Sequence, residues 1–333
     1  MSGGPATDRP GMVTAIVPAY ERPDYVVAAI RSALAQTYPH VEVLVGDDSH
    51  SDAVEVAVRT IDDRRVRYHR NRPSLGAMGN WIDLIRRADT ELVSSLNDDD
   101  LWEPTFLDRL VPPMLADPSL GMAFCDTTYI DDAGTALVEA SALWSHVSHR
   151  GDLPTGRVSD DPTFVLRMIA VWNAPQPAYA AVMRRCDAAA IDFPQLIDPC
   201  HDLWCTYRLW TAGARFFYVN ERLTRYRVHE GNLTSAGFGK AEDFIFDVIA
   251  TEHPHNPAIA EMRERWARIR FSRAMRSPRD DAATAMQEMR VAAPDLTGWR
   301  GAIARVASRA PWVCRATLTA RHAAKRAIAT VHR

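Results

Sequence analysis

Hydrophobic and polar positions form a repeating pattern along the first 130 residues of the chain. Four short runs, 13–19, 41–45, 65–69 and 91–96, have the character of strands, and amphipathic stretches with helical spacing follow, for example from Pro23. The runs at 13–19 and 41–45 are mainly apolar rather than strictly alternating, which indicates burial on both faces. The pattern therefore predicts an α/β fold with a mostly parallel, doubly wound sheet flanked by helices.

The loops that follow the predicted strands carry most of the candidate chemistry. In open sheets of this kind, ligands bind outside the carboxyl ends of the strands. The first loop, 18–23, offers an aromatic ring, a carboxylate and a guanidinium, the second contains Asp47 and Asp48, and the third contains Gly76 and Gly79. Each loop also has a structural explanation, in which proline starts a helix, aspartates form turns and glycines permit a sharp reversal. Their clustering at one edge of the sheet favours a binding site.

A cluster of four polar residues, Asn97 to Asp100, follows the fourth predicted strand. Three adjacent carboxylates repel one another, so the arrangement destabilises the fold unless a cation or hydrogen-bond donors neutralise it. Hard oxygen ligands suit Mg²⁺ or Mn²⁺, which commonly hold a substrate diphosphate. The alternative is a solvated acidic turn in which one aspartate caps a helix that begins near Pro104.

Composition narrows the classes of function. The 333 residues carry a formal net charge of -3 at pH 7, which gives no reason to expect nucleic-acid binding. Five cysteines without metal-type spacing predict neither a disulfide framework nor a zinc site. Since neither a signal peptide nor a run of about 18 apolar residues occurs, we expect a cytoplasmic protein with reduced thiols. The alanine- and arginine-rich composition suggests a bacterial source.

Six motifs along the chain resemble those of the family-2 glycosyltransferases of GT-A fold. They are VTAIVPAYERP at 13–23, GDDS at 46–49, LG to NW at 75–81, LNDDDLW at 96–102, HDLW at 201–204 and YRVHEGN at 226–232. The resemblance implies a domain that transfers a sugar from a nucleotide-diphosphate donor, UDP- or dTDP-linked, to an acceptor hydroxyl. That acceptor would be a glycan, a lipid-linked sugar or a natural-product aglycone.

The same resemblance implies roles for individual residues, with Asp202 as the general base of an inverting transfer. The nucleotide would be bound by Pro18, Ala19, Tyr20, Glu21, Asp47, Gly76, Asn80 and Asp98. The divalent metal, Mn²⁺ or Mg²⁺, would be held by Asp99, with His229 as a further ligand or diphosphate donor, and Arg227 would contact the diphosphate. Trp172, Asn173, Gln176 and His201 would bind the acceptor or the donor sugar.

Several alternatives stay open at this level. Asn97 stands where the first aspartate of the metal motif is usual, so the register Asp98 to Asp100 is a second interpretation. Locally, Asp202 also has the character of a helix N-cap, and tryptophans such as Trp172 are often core residues. A non-catalytic nucleotide-sugar-binding domain is the alternative function. A sugar-nucleotide pyrophosphorylase is less consistent with the sequence, because 18–23 is not a glycine-rich basic loop.

The predicted organisation is a disordered segment 1–11, a catalytic domain 12–235 and a helical region 236–333. The catalytic domain would divide into a nucleotide-binding half, 12–130, and an acceptor-binding half, 131–235, in which 141–162 is predicted to be a long loop. Residues 299–333 carry eight Lys or Arg and no acid, which predicts a basic terminal helix. Such a helix would either lie on anionic lipid at the inner membrane face or pack on the acidic catalytic domain or in a homodimer.

Overall fold

The computed structural model describes residues 11–198, 200–229, 239–276 and 282–309. Contacts divide the chain into two compact units, Met1–Glu252 and His253–Arg333. The predicted disordered segment, apart from Gly11, and the predicted domain boundary at 235/236 lie outside the described residues. So does the larger part of the predicted basic helix, from residue 310 onward.

A single mixed sheet lies at the centre of the first unit. Its strands are β1 Val13–Ala19, β2 Val41–Asp47, β3 Val66–Arg70, β4 Leu92–Ser95, β5 Leu101–Trp102, β6 Leu120–Ile130, β7 Gly156–Arg157, β8 Ala181–Arg184 and β9 Arg215–Arg227. They lie in the order β3-β2-β1-β4-β8-β6-β9-β5, with β7 beside β9. The four predicted strands are confirmed to within a few residues.

Strand direction changes across the sheet. The pairs β1–β2, β1–β4 and β2–β3 are parallel, as predicted. Strand β8, however, is antiparallel to both β4 and β6, so the second half of the sheet is mixed rather than mostly parallel. Strand β1 lies between β2 and β4, which makes the β1/β4 crevice a topological switch point. Ligands of open α/β sheets bind at such a crevice.

Helices cover the sheet of the first unit. They are α1 Pro23–Leu34, α2 Ala53–Val58, α3 Gly76–Arg87, α4 Phe106–Ala116, α5 Val138–Val147, α6 Pro162–Leu166, α7 Arg185–Ala189, α8 His201–Thr211 and α9 Gly239–Glu252. Helix α1 begins at Pro23, whose fixed φ suits the first helical position. It buries Val26, Ala29, Ile30 and Ala33 in the main core, with the apolar side chains of β1 and β2.

The segment 141–162 is not the long loop that we predicted. Helix α5 covers its first part, followed by a 3₁₀ turn at Arg150–Asp152 and by β7. The prediction was wrong because the hydrophobic pattern of α5 is reversed. Its buried positions are serines, and the Ser145 hydroxyl donates to Asp126 over 2.8 Å. The large apolar side chains Leu143 and Trp144 are exposed instead, so the helical spacing of buried apolar residues is missing.

The described part of the second unit is helical, as predicted for the C-terminal region. It contains α10 Ala258–Arg276, α11 Ala282–Ala292 and α12 Gly298–Ala307, the last of which covers the start of the basic segment. A separate core includes Phe271, Ala274, Ala285 and Met289. Among the described residues, none of the helices combines the length and the apolar character that crossing a membrane requires.

Gly46 allows helix α3 to approach strand β2 closely. A Cβ atom at position 46 would lie 2.9 Å from Cγ of Leu84 and would also overlap Oδ1 of Asn80. We therefore expect Gly46→Ala to lower the free energy of unfolding by about 2 kcal/mol, as overpacking of a core does. Denaturant titration of both proteins would measure this.

Gly79→Ala is the matched control for that substitution. Gly79 lies in α3, the helix that packs against Gly46, and a Cβ there would have Leu75 Cβ, at 3.0 Å, as its nearest neighbour. The gain in helix propensity, about 1 kcal/mol, offsets this tighter contact. An equal loss of stability in both variants would contradict the role assigned to Gly46.

Candidate active site

The acidic cluster lies at the end of β4, across the switch-point crevice from the loop that follows β1. The carboxylate of Asp98 accepts hydrogen bonds from the Tyr20 backbone N–H, over 2.8 Å, and from the Arg22 guanidinium, over 3.0 Å. One carboxylate oxygen of Asp99, Oδ2, lies 2.8 Å from Arg22 Nη1 and 2.9 Å from His229 Nε2. Residues from three distant parts of the chain thus meet at two adjacent carboxylates.

Burial makes the negative charge of this cluster costly. Asp98 and Asp100 are 3% and 1% exposed. Burial, assisted by the charge of Asp99, raises the pKa of Asp98 to about 6, although Arg22 opposes this shift. The same two causes raise the pKa of Asp100 well above its usual value. The cluster is therefore a buried group of like charges that favours a bound cation.

Asn97 has a structural partner inside the cluster. Its side-chain amide donates to Asp100 over 2.9 Å, and the Arg227 backbone N–H donates to the other oxygen of Asp100 over 2.8 Å. An aspartate at position 97 would add a fourth carboxylate where a donor is needed. The neutral amide is thus consistent with Asp100 as a buried, donor-satisfied carboxylate. The alternative in which an aspartate caps the following helix is not observed, because the N-cap of α4 is Thr105.

Arg227 is engaged by the backbone of the site. The residue is 5% exposed, and its guanidinium donates to the carbonyl oxygens of Asp99 over 2.9 Å, Asp131 over 3.0 Å and Asp132 over 2.7 Å. It also lies 4.7 Å from the ring centroid of Tyr25. These contacts fix the acidic cluster against the turn that follows β6. They give Arg227 a structural task that the sequence did not indicate.

Asp47 and Asp48 occupy the carboxyl end of β2. Asp47 is fully buried, and its carboxylate accepts from the Tyr68 hydroxyl over 2.6 Å and from the Ser49 N–H over 2.9 Å. Asp48 accepts from the backbone N–H groups of Leu75 and Gly76, over 2.8 and 2.9 Å, at the start of α3. The carboxylate predicted to contact the base is therefore held in the interior, and its neighbour organises the third loop.

The first loop presents one exposed aromatic ring. Tyr20 is 50% exposed, and its ring centroid lies 6.1 Å from that of His50. Glu21 has a positive φ of 53°, and its carboxylate accepts from the N–H groups of His50 and Ser51 over 2.8 and 3.0 Å. Glu21 thus joins the first two loops. Tyr20 is left as the side chain best placed to cover a flat ligand.

The remaining residues predicted to bind the nucleotide are of two kinds. Some could contact a ligand only through their backbone, and others have buried side chains. Ala19 is 1% exposed, and its carbonyl accepts from the Asp48 N–H over 3.0 Å, whereas the preceding Pro18 is only partly buried. Gly76 has a positive φ of 74°, with open space beside its Cα. Asn80 is 2% exposed and donates to the Gly46 carbonyl over 2.7 Å, so its contacts are internal.

Asp202 lies in the first turn of α8, and the N-cap of this helix is Cys200. The predicted alternative, that Asp202 is the N-cap, is therefore not observed. Its carboxylate accepts from the adjacent Leu203 N–H over 2.7 Å and is partly buried. The preceding His201 packs its ring against Trp81 of α3, with centroids 5.1 Å apart. Helix α8 thus starts beside the helix whose N-terminus carries the third loop.

The predicted acceptor residues follow a π-helical turn, Arg167–Val171, that packs against α8. The ring of Trp172 lies 4.6 Å from that of His149 and 5.4 Å from that of Phe164, so it is part of an aromatic group. Asn173 is exposed with a positive φ of 50°, and its carbonyl accepts from the Gln176 amide over 2.9 Å. Such strained backbone is often found at functional sites.

Sequence reasoning assigned no role to two residues that shape the site. Arg22 was noted only as a guanidinium in a loop, and Tyr25 lies in the stretch from Pro23 that was noted only for its helical spacing. The Tyr25 hydroxyl donates to Asp132 over 3.1 Å, and its ring lies 5.7 Å from that of His229. A basic residue immediately before a helix-starting proline was the available signal for Arg22. For Tyr25 no local signal exists, since Asp132 is 107 residues away in sequence and His229 is further still.

The chemistry of the acidic cluster suits a divalent cation. Arg22 already places a positive charge within 3.0 Å of one oxygen of Asp98 and within 2.8 Å of one oxygen of Asp99. Within the described ranges, no group of three or more His, Cys, Asp or Glu side chains is arranged to hold a metal. One or two carboxylates are nonetheless sufficient when substrate phosphates supply the other oxygens, as for Mg²⁺. The residues thus fit a cation that is shared with a diphosphate.

Comparison with known proteins identifies the family. Residues 14–169 match glycosyl transferase family 2. The chain is 32% identical to WfaP of Escherichia coli, a UDP-Glc:alpha-D-GlcNAc-diphosphoundecaprenol beta-1,3-glucosyltransferase, over 68% of this chain and 81% of that protein. The chain belongs to glycosyltransferase family 2. This confirms the resemblance drawn from the motifs, and the protein is a transferase.

Solved structures of GT-A type share the fold of this family-2 glycosyltransferase. S. aureus TarS in complex with UDP-GlcNAc has a TM-score of 0.63 and 14% identity, with 94% of this chain and 92% of that chain covered. The mannosyltransferase PcManGT from Pyrobaculum calidifontis, in complex with GDP-Man and Mn2+, has a TM-score of 0.55 and 17% identity over 96% and 88%. Two further curated relatives are matched over only 41% and 31% of their own length.

Proposed function

We propose that this family-2 glycosyltransferase moves a sugar from a UDP-linked donor to a hydroxyl of a lipid-linked glycan, with inversion at the anomeric carbon. The observation that carries the proposal is the pair Asp98 and Asp99, buried at the switch-point crevice and both within reach of one cationic group. A nucleoside diphosphate with a divalent cation, Mn²⁺ or Mg²⁺, matches that charge pattern. A dTDP-linked donor has the same diphosphate and is the second candidate.

Donor binding would combine one stacking face with the two carboxylates. The exposed ring of Tyr20 covers the base beside the carboxyl ends of β1 and β2, and the open backbone at Gly76 approaches it from the third loop. Asp98 would contact the ribose and help to hold the cation, and Asp99 with His229 would hold the cation beside the diphosphate. Asp47, Glu21, Asn80 and Arg227 act indirectly, since each holds a loop of the site in position.

Transfer would proceed as a single displacement. The Asp202 carboxylate takes the proton from the acceptor hydroxyl while that oxygen attacks the anomeric carbon. The new glycosidic C–O bond forms as the bond to the diphosphate breaks, and the nucleoside diphosphate leaves with the bonding electrons. When bound, the divalent cation supplies Lewis-acid neutralisation of the charge on that leaving group. In this scheme a residue of α8 removes the proton, and residues at the ends of β1 and β4 bind the charged leaving group.

The acceptor class is supported by the relatives and by the aromatic group. WfaP is named for a diphosphoundecaprenol-linked acceptor, and this chain covers 81% of its length. Trp172 and its neighbour His149 provide aromatic faces of the kind that pack on sugar rings. Asn173 and Gln176 provide polar atoms beside them. The basic segment 299–333 would assist by meeting anionic lipid, and the first part of that segment is α12.

Nucleoside-diphosphate release tests the proposal directly. With UDP-glucose and a GlcNAc-diphospholipid acceptor, we expect acceptor-dependent UDP release that EDTA abolishes and added Mn²⁺ or Mg²⁺ restores. Anomeric configuration of the product, read by NMR coupling constants, tests inversion. A panel of nucleotide sugars in thermal-shift assays would identify the donor, because a ligand of the folded state raises apparent stability. Donor-dependent thermal shifts without any UDP release would support the non-catalytic alternative.

A further inference from the structure

The guanidinium of Arg22 occupies the position between the two carboxylates where a divalent cation would be held. Its Nη1 atom lies 3.0 Å from Oδ1 of Asp98 and 2.8 Å from Oδ2 of Asp99. We propose that Arg22 and the divalent cation compete for these carboxylate oxygens. Cation binding then depends on the donor, whose diphosphate draws Arg22 away from the cluster. This inference rests on the proposed function for the identity of the donor.

Charge repulsion opposes simultaneous binding of the guanidinium and a divalent cation at the same oxygens. An Mg²⁺ ion binds oxygen at about 2.0–2.1 Å, and two positive charges this close together repel strongly. Oδ2 of Asp99 already accepts from His229 as well as from Arg22. In this proposal the cation replaces the guanidinium at Asp98 Oδ1 and Asp99 Oδ2.

The Arg22 side chain is more accessible to solvent than the carboxylates that it contacts. The residue lies between the first loop and helix α1, with Pro23 fixing the backbone after it. Its side chain is 27% exposed, whereas those of Asp98 and Asp99 are 4% and 10% exposed. The carboxylates are thus fixed in the interior, and the guanidinium approaches them from the solvent side. A rotation of its long side chain takes the charge towards the crevice opening.

The donor diphosphate provides the alternative partner. A guanidinium binds phosphate oxygens with paired hydrogen bonds and is well suited to that role. Before the donor binds, Arg22 neutralises the like charges of Asp98 and Asp99 and keeps them in place. Once the diphosphate is present, Arg22 moves to it and leaves the carboxylates to the cation. Arg22 is therefore a positioning residue that makes the binding of cation and nucleotide cooperative.

Manganese binding to the nucleotide-free protein tests this proposal without turnover. The free Mn²⁺ signal in electron paramagnetic resonance gives the Kd for wild type, Arg22→Gln and Arg22→Lys, each with and without UDP. We expect Arg22→Gln to bind Mn²⁺ about tenfold more tightly than wild type when UDP is absent. With UDP present this difference shrinks. The coupling, which is the ratio of the Mn²⁺ Kd values without and with UDP, should be about 5–150-fold in wild type, as is typical of linked sites. In Arg22→Gln it should fall towards one. Arg22→Lys keeps the charge and should stay close to wild type.

Arg59→Gln is the matched control, since Arg59 pairs with Glu55 on the surface of α2. Its Mn²⁺ affinity and coupling should equal those of wild type. Unchanged or weaker Mn²⁺ binding by folded Arg22→Gln, with wild-type coupling to UDP, would overturn the proposal. If Arg22→Gln fails to fold, the Arg22→Met variant, which keeps the aliphatic length, provides the same comparison. If Arg22→Gln binds Mn²⁺ more tightly than wild type but the wild-type enzyme releases no UDP, the proposed function is refuted and this inference is supported.

Discussion

Replacing Asp202 by asparagine is expected to lower kcat by roughly 10²–10⁴-fold, the usual contribution of a positioned general base. The amide keeps the size of the side chain but cannot take the proton from the acceptor hydroxyl. Donor binding should be unaffected, because the proposed donor site is built on β1, β2 and β4, whereas Asp202 lies on α8. The measurements are kcat and KM from initial rates of UDP release, together with the Kd for UDP.

Two comparisons make the Asp202 result specific. Asp247→Asn removes an exposed carboxylate from α9 and should leave kcat within about twofold, since surface substitutions seldom matter. Thermal unfolding of Asp202→Asn should resemble that of wild type, although the acceptor of the Leu203 N–H changes. If kcat is retained in folded Asp202→Asn, another group is the base, and the carry-over of this role from the family motif is wrong.

The parallel part of the fold was predictable from local patterns. Each of the first four strands is a short run with its own loop, and the following helix starts at a recognisable residue such as Pro23. Burial on both faces gives a mainly apolar run that needs no knowledge of partners, as in β1, where Thr14 is the one polar residue of the strand. The acidic cluster was also predictable from a local pattern, because three adjacent aspartates at the end of a strand have few structural explanations.

Roles that depend on distant partners were not predictable. Helix α5 was missed because its buried positions are serines that hydrogen-bond to Asp126 and to the Tyr129 backbone N–H. A search for apolar residues at helical spacing does not find such a helix. Asn80, which is predicted to contact the nucleotide, donates to the Gly46 carbonyl, 34 residues earlier, so its position also has an internal explanation. In each case a polar side chain satisfies a buried polar group of another element. Sequence spacing alone does not distinguish this from ligand binding.

Replacing Arg227 by alanine is expected to lower the free energy of unfolding by about 3 kcal/mol. The guanidinium supplies donors to the carbonyl oxygens of Asp99, Asp131 and Asp132, and an unsatisfied buried acceptor costs about 1–3 kcal/mol. The acidic cluster would also lose the contact that fixes its backbone. Denaturant titration gives the change in stability, and Kd values for UDP in the presence of Mn²⁺ give the effect on the site.

Arg225→Ala distinguishes this structural role from a simple loss of charge. Arg225 is two residues earlier on β9 and pairs with Glu103, but its side chain is 43% exposed. Since exposed ion pairs contribute about 0–1 kcal/mol, Arg225→Ala should be far less damaging. Arg227→Lys should recover only part of the stability, because an ammonium cannot reproduce the fixed fork of a guanidinium. The opposite pattern, in which Arg227→Ala keeps its stability and loses only UDP affinity, would return Arg227 to the diphosphate-binding role implied by the motif. In that case the carbonyl contacts would be incidental, and Arg22 and Arg227 would both face the leaving group.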